Sequence, residues 1–305
     1  MPPGGAPGMS PATSGMAVLA VVGLIMLGLG LSLTPADFRR AAQHPRTLSA
    51  ALLCQLLVLP LVCFGLVSAL GVPPVAAVGV MLISACPGGP VAGIYSHLAG
   101  GDVALNITLA AVNSLLAVVT LPVITNLSVQ HFLGTEAGLG LRPGEVLQVF
   151  AVVLVPVALG MAVRARRPVL ARRAERPVNV GSGIALGIIV VLSLTANFAL
   201  LLDNFLTVGI ADALFALASL TLGYWVPRLV KAERRHAVAA SMEIGFHNAA
   251  LAIAVATGLL HSAEMAIAPS VYGIVILLAA TAFTALLRRR DPSRTPAASP
   301  QESHP

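Results

Sequence analysis

Charge is what this sequence lacks. Only 10% of its 305 residues are charged, against 57% hydrophobic, and the mean hydropathy is +0.91. Soluble domains carry about 25% charged residues. A water-soluble enzyme is excluded by composition, and so is a disordered chain. Cysteine is scarce too. Cys54, Cys63 and Cys86 all fall in apolar stretches, with neither a disulfide framework nor zinc-ligand spacing. There is no His-Glu-x-x-His pair, so an intramembrane metalloenzyme has no ligand set. Residues 1–16 contain no Lys or Arg. A secretory signal needs a positively charged start, so the first apolar stretch is expected to be a retained helix.

What the sequence does contain is nine apolar segments, at about 15–33, 47–70, 74–99, 103–125, 145–163, 177–202, 207–229, 235–260 and 264–287. Each approaches the roughly 20 residues that cross a hydrocarbon core. An all-α polytopic membrane protein of about nine transmembrane helices is expected, as one domain over 15–290. The flanks 1–14 and 291–305 are rich in Pro or polar residues and are expected to be disordered.

The formal net charge of +6 raises the question of nucleic acid, and the placement of the charges answers it. Arg39, Arg40 and Arg46 follow the first segment, and Arg164 to Arg176 follow the fifth. Arg228, Lys231, Arg234 and Arg235 follow the seventh, and Arg288 to Arg294 the ninth. With nine spans these four regions share one side of the membrane. Of the 18 basic residues only Arg142 falls on the other. By the positive-inside rule the N-terminus is outside and the C-terminus cytoplasmic, in the plasma (inner) membrane. The expected partners are the bilayer and small solutes, with no nucleic acid and no obligate protein partner.

Two segments are interrupted. The third contains Cys86-Pro87-Gly88-Gly89-Pro90. Proline removes a backbone donor and glycine is a weak helix former, so the helix should unwind. Such backbone is tolerated at membrane depth only inside protein or beside a wet cavity, and secondary transporters use it to bind ions and substrate. A packing kink is the simpler account of a Pro-Gly pair taken alone. The second interruption, Ser241-Met242-Glu243-Ile244-Gly245-Phe246-His247-Asn248, gathers a carboxylate, an imidazole and an amide. An ionisable group there costs roughly 2.5–3.5 kcal/mol. Glu243 and His247, four apart, share a helical face. They are either a structural pair or a cation site. Asp212, in the outer part of the seventh segment, receives no role, and Asp102 is expected to cap the fourth helix.

At these residues the chain resembles the bile acid:sodium symporter family. Gly28-Leu29-Gly30-Leu31-Ser32-Leu33-Thr34-Pro35-Ala36-Asp37-Phe38, Gln55 with Pro60, Cys86-Pro87-Gly88-Gly89, Gly101-Asp102-Val103-Ala104-Leu105 and Glu243-x-Gly-x-x-Asn248 occur in the family's order. The resemblance implies inverted repeats, about 15–125 and 145–287, in the short form lacking the first helix of ten-helix members. It implies core and panel subdomains, with two broken helices crossing at the midplane. It also implies cation-coupled symport of an organic anion such as a bile acid, a sterol sulfate or a small carboxylate. There is no enzymatic activity and no cofactor beyond Na+ as coupling ion.

Carried over by position, Gln55, Glu243 and the carbonyls of Ile244 and Phe246 match one family sodium site, with His247 where the family has Gln. At the other site Pro90-Val91-Ala92-Gly93 stands where the family has Thr followed by Ser-Asn. Asn106 replaces a hydroxyl and Ala110 a Thr, with Thr108, Asn113 and Ser114 nearby. Sodium favours hard oxygen ligands, as calcium and magnesium do, so two intact sodium sites are not expected. One Na+ at Gln55, Asn106 and Glu243 is one expectation; H+ exchanged by Glu243 and His247 is the other. Asn248, Pro90 and Asn197 are the expected substrate contacts. The competing functions are a metalloid efflux carrier of the arsenite type, using the Cys86 thiolate, and an uncoupled organic anion carrier.

Overall fold

The structure, a computed structural model, describes residues 11–34, 36, 39, 43–89, 91–134, 143–196 and 198–289. It is all-helical among these residues, apart from one isolated β-bridge. The helices are α1 (Pro11–Ser32), α2 (Pro45–Ala69), α3 (Pro74–Ala85), α4 (Val91–Leu98), α5 (Val103–Leu133), α6 (Pro143–Arg166), α7 (Pro168–Ala196), α8 (Phe198–Leu229), α9 (Arg234–Gly245), α10 (Ala249–Leu259) and α11 (Ile267–Arg289). Four stretches are each long and apolar enough to cross a bilayer: α2, α5, Leu206–Leu229 of α8, and α11.

The local causes are legible. Pro45 and Pro74 open α2 and α3 at the first turn, where a missing N–H costs nothing. Asp102 caps α5 as expected, accepting the Leu105 N–H at 3.0 Å. α3 stops at Ala85 and α4 starts at Val91, so the predicted segment 74–99 is two helices separated by the Pro-Gly stretch. The segment 235–260 divides likewise into α9 and α10. α1 begins at Pro11, inside the stretch expected to be a tail, α5 runs on to Leu133, and α7 starts at Pro168. The remainder of the two tails lies outside the described residues.

Packing separates the helices into two groups. α1 lies against α6 and α7, while α3 with α5, α8 with α9 and α11, and α9 with α4 and α5 form the other set, which α1 meets at α10. Close approach depends on small residues, as in membrane helix pairs generally. A Cβ on Gly30 would strike the Val157 carbonyl, and one on Gly160 would strike the backbone of α1.

The turns after α2 and α8 are copies of one another. In the first, the Gly71 N–H bonds the Ser68 carbonyl, the Val72 N–H that of Val67, and the Ala77 N–H that of Pro73. In the second, Lys231 bonds Arg228, Ala232 bonds Pro227 and Ala237 bonds Glu233 in the same sense. Gly71 and Lys231 are both left-handed, at φ 60° and 62°.

Candidate functional site

The two interruptions meet. Cys86–Gly89, between α3 and α4, runs antiparallel to Phe246–Asn248, between α9 and α10, with the β-bridge at Gly88 and His247. The Gly89 N–H donates to the Phe246 carbonyl and the Asn248 N–H to the Pro87 carbonyl, both at 2.8 Å. The backbone groups released by the two helix ends therefore satisfy one another, which is what makes extended chain tolerable in a buried position.

Three predicted side chains converge on this crossing. Glu243, in the last turn of α9, is 1% exposed. Its Oε1 accepts the Gly88 N–H at 3.1 Å, while Oε2 has no hydrogen-bond partner. Gly88 must be glycine, because a Cβ there would run into the carboxylate. Gln55 sits in the π-helical turn Cys54–Val58 inside α2, a distortion that often marks functional positions. Its Nε2 donates to the Cys86 carbonyl at 3.1 Å, and its Oε1 is buried without a partner.

His247 is held by both ring nitrogens. Nδ1 lies 3.1 Å from the Cys86 carbonyl and 3.3 Å from the Gln55 amide nitrogen. Nε2 shares a hydrogen bond with the Ser219 hydroxyl at 3.3 Å. Phe215 stacks on the ring with centroids 5.1 Å apart, and Tyr272 meets it edge-on at 5.7 Å. The Tyr272 hydroxyl donates to the Gly245 carbonyl at 2.7 Å, closing the crossing from the α11 side.

The remaining candidates are dispersed. Asn106 is buried, but its Nδ2 donates to the Ala239 carbonyl at 2.9 Å, one turn before Glu243. Asn113, seven residues further along α5, is the amide whose side chain faces the Glu243 carboxylate. Ile244 is buried beside Glu243, and the Phe246 carbonyl is occupied by Gly89. Asn248 caps α10 by accepting the Leu251 N–H at 3.1 Å, and its buried Nδ2 is left unpartnered. Pro90 and Asn197 lie outside the described residues.

Residue-type reasoning did not single out Ser219, Phe215 or Tyr272 for the site. The available signal was the spacing of Asp212, Phe215 and Ser219 at i, i+3 and i+7 along one face of α8. The Cys86 thiol is buried, with no other cysteine paired to it.

The site thus offers two buried acceptor oxygens without donors, Glu243 Oε2 and Gln55 Oε1, and one buried donor without an acceptor, Asn248 Nδ2. Such groups call for an explanation. An oxygen-seeking cation satisfies the first two, and an anionic oxygen the third.

A cavity of about 240 Å3 lies where α1, α5 and α6 meet, lined mainly by aliphatic side chains and by Ser114, whose buried hydroxyl is unpartnered. A larger one, about 600 Å3, is lined by residues of α2, α3 and α5 such as Phe64, Met81 and His131 and includes none of the crossing residues.

A family profile described as the Sodium Bile acid symporter family matches residues 19–204. A protein of Bacillus subtilis (strain 168) bearing the name uncharacterized sodium-dependent transporter YocS is 30% identical over 250 residues, covering 82% of this chain and 75% of its own. The probable sodium/metabolite cotransporter BASS1, chloroplastic, of Arabidopsis thaliana is 30% identical over 247 residues, covering 78% of this chain and 58% of its own. The ileal sodium/bile acid cotransporter of Oryctolagus cuniculus is 26% identical over 260 residues, covering 81% and 73%.

Proposed function

The chain belongs to the Sodium Bile acid symporter family, whose members are multi-pass membrane transporters and not enzymes, and from that premise we propose that it couples Na+ entry to the uptake of an organic anion at the crossing of its two chain breaks. One observation carries this reading. Glu243 is buried, anchored by one oxygen to the Gly88 N–H, and presents the other oxygen without a partner. An ionised carboxylate in that position needs a counter-charge, and a bound Na+ supplies it.

In this reading Glu243 and Gln55 supply side-chain oxygens and the Ile244 and Phe246 carbonyls supply backbone oxygens. Asn113 takes the place first given to Asn106, and His247 holds the Cys86 carbonyl in register. The anion enters the gap between the α1–α6–α7 group, the panel, and the remaining helices, the core. The Asn248 amide and Ser114 are the polar contacts there. The competing proton-coupled form uses Glu243 itself as the exchanging acid.

Counting α3 with α4 and α9 with α10 as single crossings gives nine spans in two inverted repeats. The matched turns at Gly71 and Lys231 support the repeat, and the charge asymmetry supports a cytoplasmic C-terminus in the plasma membrane. Reconstituted protein should accumulate at least one of a bile acid, a sterol sulfate, pyruvate or pantoate when a Na+ gradient is imposed. A pH gradient without Na+ is the second arm, and uptake in that arm alone would transfer the coupling to H+. Equal uptake with neither gradient would refute coupling.

A further inference from the structure

The crossing gives a task to Glu243, Gln55 and His247. Among the described residues it leaves one buried acid without any. Asp212 of α8 is 0% exposed, and neither Oδ1 nor Oδ2 has a hydrogen-bond partner. At 1.5 Å per residue it sits about 24 Å along α8 from Arg228 at the basic end, and about 10 Å beyond the level of Ser219. An ionisable side chain at such a depth is by default a functional group.

Its surroundings indicate what it binds. The titratable groups that feel its charge are Cys63 of α2 and Tyr272 of α11. α3 carries no ionisable residue, and Glu243, through its Oε1, and His247 are anchored at the crossing. The Cys63 thiol points to the Val80 carbonyl at 3.6 Å, and the Tyr272 hydroxyl is committed to Gly245. Neither is a cation. A thiol and a phenol are also a poor shell for Na+, because hard cations take about six oxygens. A carboxylate in such a place sheds its charge by taking a proton.

Asp212 is also joined to the crossing. Asp212, Phe215 and Ser219 lie at i, i+3 and i+7 of α8 and share one face. Phe215 stacks on His247 and Ser219 bonds its Nε2. Tyr272, 6.0 Å from Phe215 between ring centroids, reaches the crossing carbonyl of Gly245. A change of charge at Asp212 therefore acts on the same helix face and the same tyrosine that hold His247.

We propose that Asp212 is a proton-binding site of the transport cycle, separate from the cation site at Glu243. In this conformation it holds H+ as a carboxylic acid. It exchanges that proton in a conformation that wets the outer half of α8. The step balances without a co-reactant: a proton from water forms the O–H bond on Asp212, and breaking that bond returns the proton to water. The proposal goes beyond the symport reading and relies on it only for there being a cycle.

Infrared difference spectroscopy of the purified full-length protein tests it without any substrate. The Glu243→Gln variant removes from the spectrum the other acid that is buried among the described residues. In that background the carbonyl stretch of a protonated carboxyl is expected, falling reversibly as pH is raised, and it should vanish in the Glu243→Gln/Asp212→Asn double variant. If the double variant does not fold, Asp212→Glu in the same background should shift the band instead. No such band, a band that ignores pH, or one that survives the change at Asp212 would overturn the proposal. Failure of sodium-driven uptake with the Asp212 band intact would instead count against the symport reading alone.

Discussion

The two chain breaks that meet at the crossing differ in kind. Cys86–Gly89 contributes only backbone: two N–H groups, the Pro87 carbonyl, and a Cys86 carbonyl on which Gln55 and His247 both converge. Glu243–Asn248 contributes the side chains that carry charge and hydrogen-bonding capacity. The difference shows how a polar site is built in a medium without water. One strand has to be small enough for a carboxylate to lie directly on its backbone, and the other has to bring the carboxylate. The two composition signals, Pro-Gly-Gly and Glu-x-Gly-x-x-Asn, are two halves of one device.

The sharpest way to break this division of labour is at Glu243. Glu243→Gln keeps the shape and an oxygen for the Gly88 N–H, so folding stability should change by no more than about 1 kcal/mol. Sodium-driven uptake should fall to background, and Na+ should no longer raise the thermal midpoint. Normal uptake by this variant would remove the cation site from the crossing.

Next in size is a contrast between neighbouring glycines. A Cβ at Gly88 meets the Glu243 carboxylate, whereas one at Gly89 meets nothing nearer than the Phe246 carbonyl at 3.7 Å. Gly88→Ala should therefore cost about 1–3 kcal/mol as an overpacked position and abolish stabilisation by Na+. Gly89→Ala should leave both nearly unchanged. Thermal-shift titration with NaCl against choline chloride reads the two together, and equal behaviour would mean that Glu243 does not lie on Gly88.

Tyr272→Phe is a smaller perturbation from the α11 side. It deletes the hydroxyl that serves the Gly245 carbonyl and leaves that carbonyl short of a donor. A loss of about 1–2 kcal/mol in thermal or denaturant unfolding is expected, with the Na+ response weakened but present.

How much of this was legible in the sequence follows from the solvent. Glu243, His247 and Gln55 stood out because polar groups are conspicuous in apolar runs, and the Pro-Gly stretch announced where α3 would end. Phe215 and Tyr272 did not stand out. In a soluble helix the polar face marks which residues turn inward, but here the lipid-facing side is apolar as well, so hydrophobic periodicity carries no phase. Leu206 and Leu229 are largely exposed while Phe215 and Leu220 are fully buried on the same helix, and nothing in residue type separates them. The extra length of α7 was missed for the opposite reason. Its first turns carry Arg172, Arg173 and Arg176, so hydropathy placed the start where the apolar run begins and not where the helix does. Asn106 and Asn113 lie seven apart on one face of α5, so which of them meets Glu243 depends on the height at which α5 passes α9, which one sequence does not specify.

The smallest expected effect returns to the comparison at the level of the repeats. Gly71 and Lys231 occupy the same left-handed position of the same turn, one with the residue suited to it and one without. A left-handed L-residue costs roughly 1–2 kcal/mol, and replacing glycine returns about 0.5–1 kcal/mol of unfolded-state entropy, so Gly71→Ala should lower unfolding stability by about 0.5–1 kcal/mol. Lys231→Gly relieves the same cost but adds the unfolded-state entropy of glycine, about 0.5–1 kcal/mol. Strain is the larger of the two, and the variant should gain about 0.5–1 kcal/mol over the parent. Lysine is therefore tolerated there at a modest net cost to folding. It also adds to the basic cluster of Arg228, Arg234 and Arg235, which is expected to set orientation. If the turns are equivalent, the two substitutions should differ in stability by an amount that backbone strain and entropy alone predict. A Lys231→Gly variant as damaging as Gly71→Ala would mean that the lysine side chain itself holds the second turn, and the likeness of the two turns would then be one of backbone trace only.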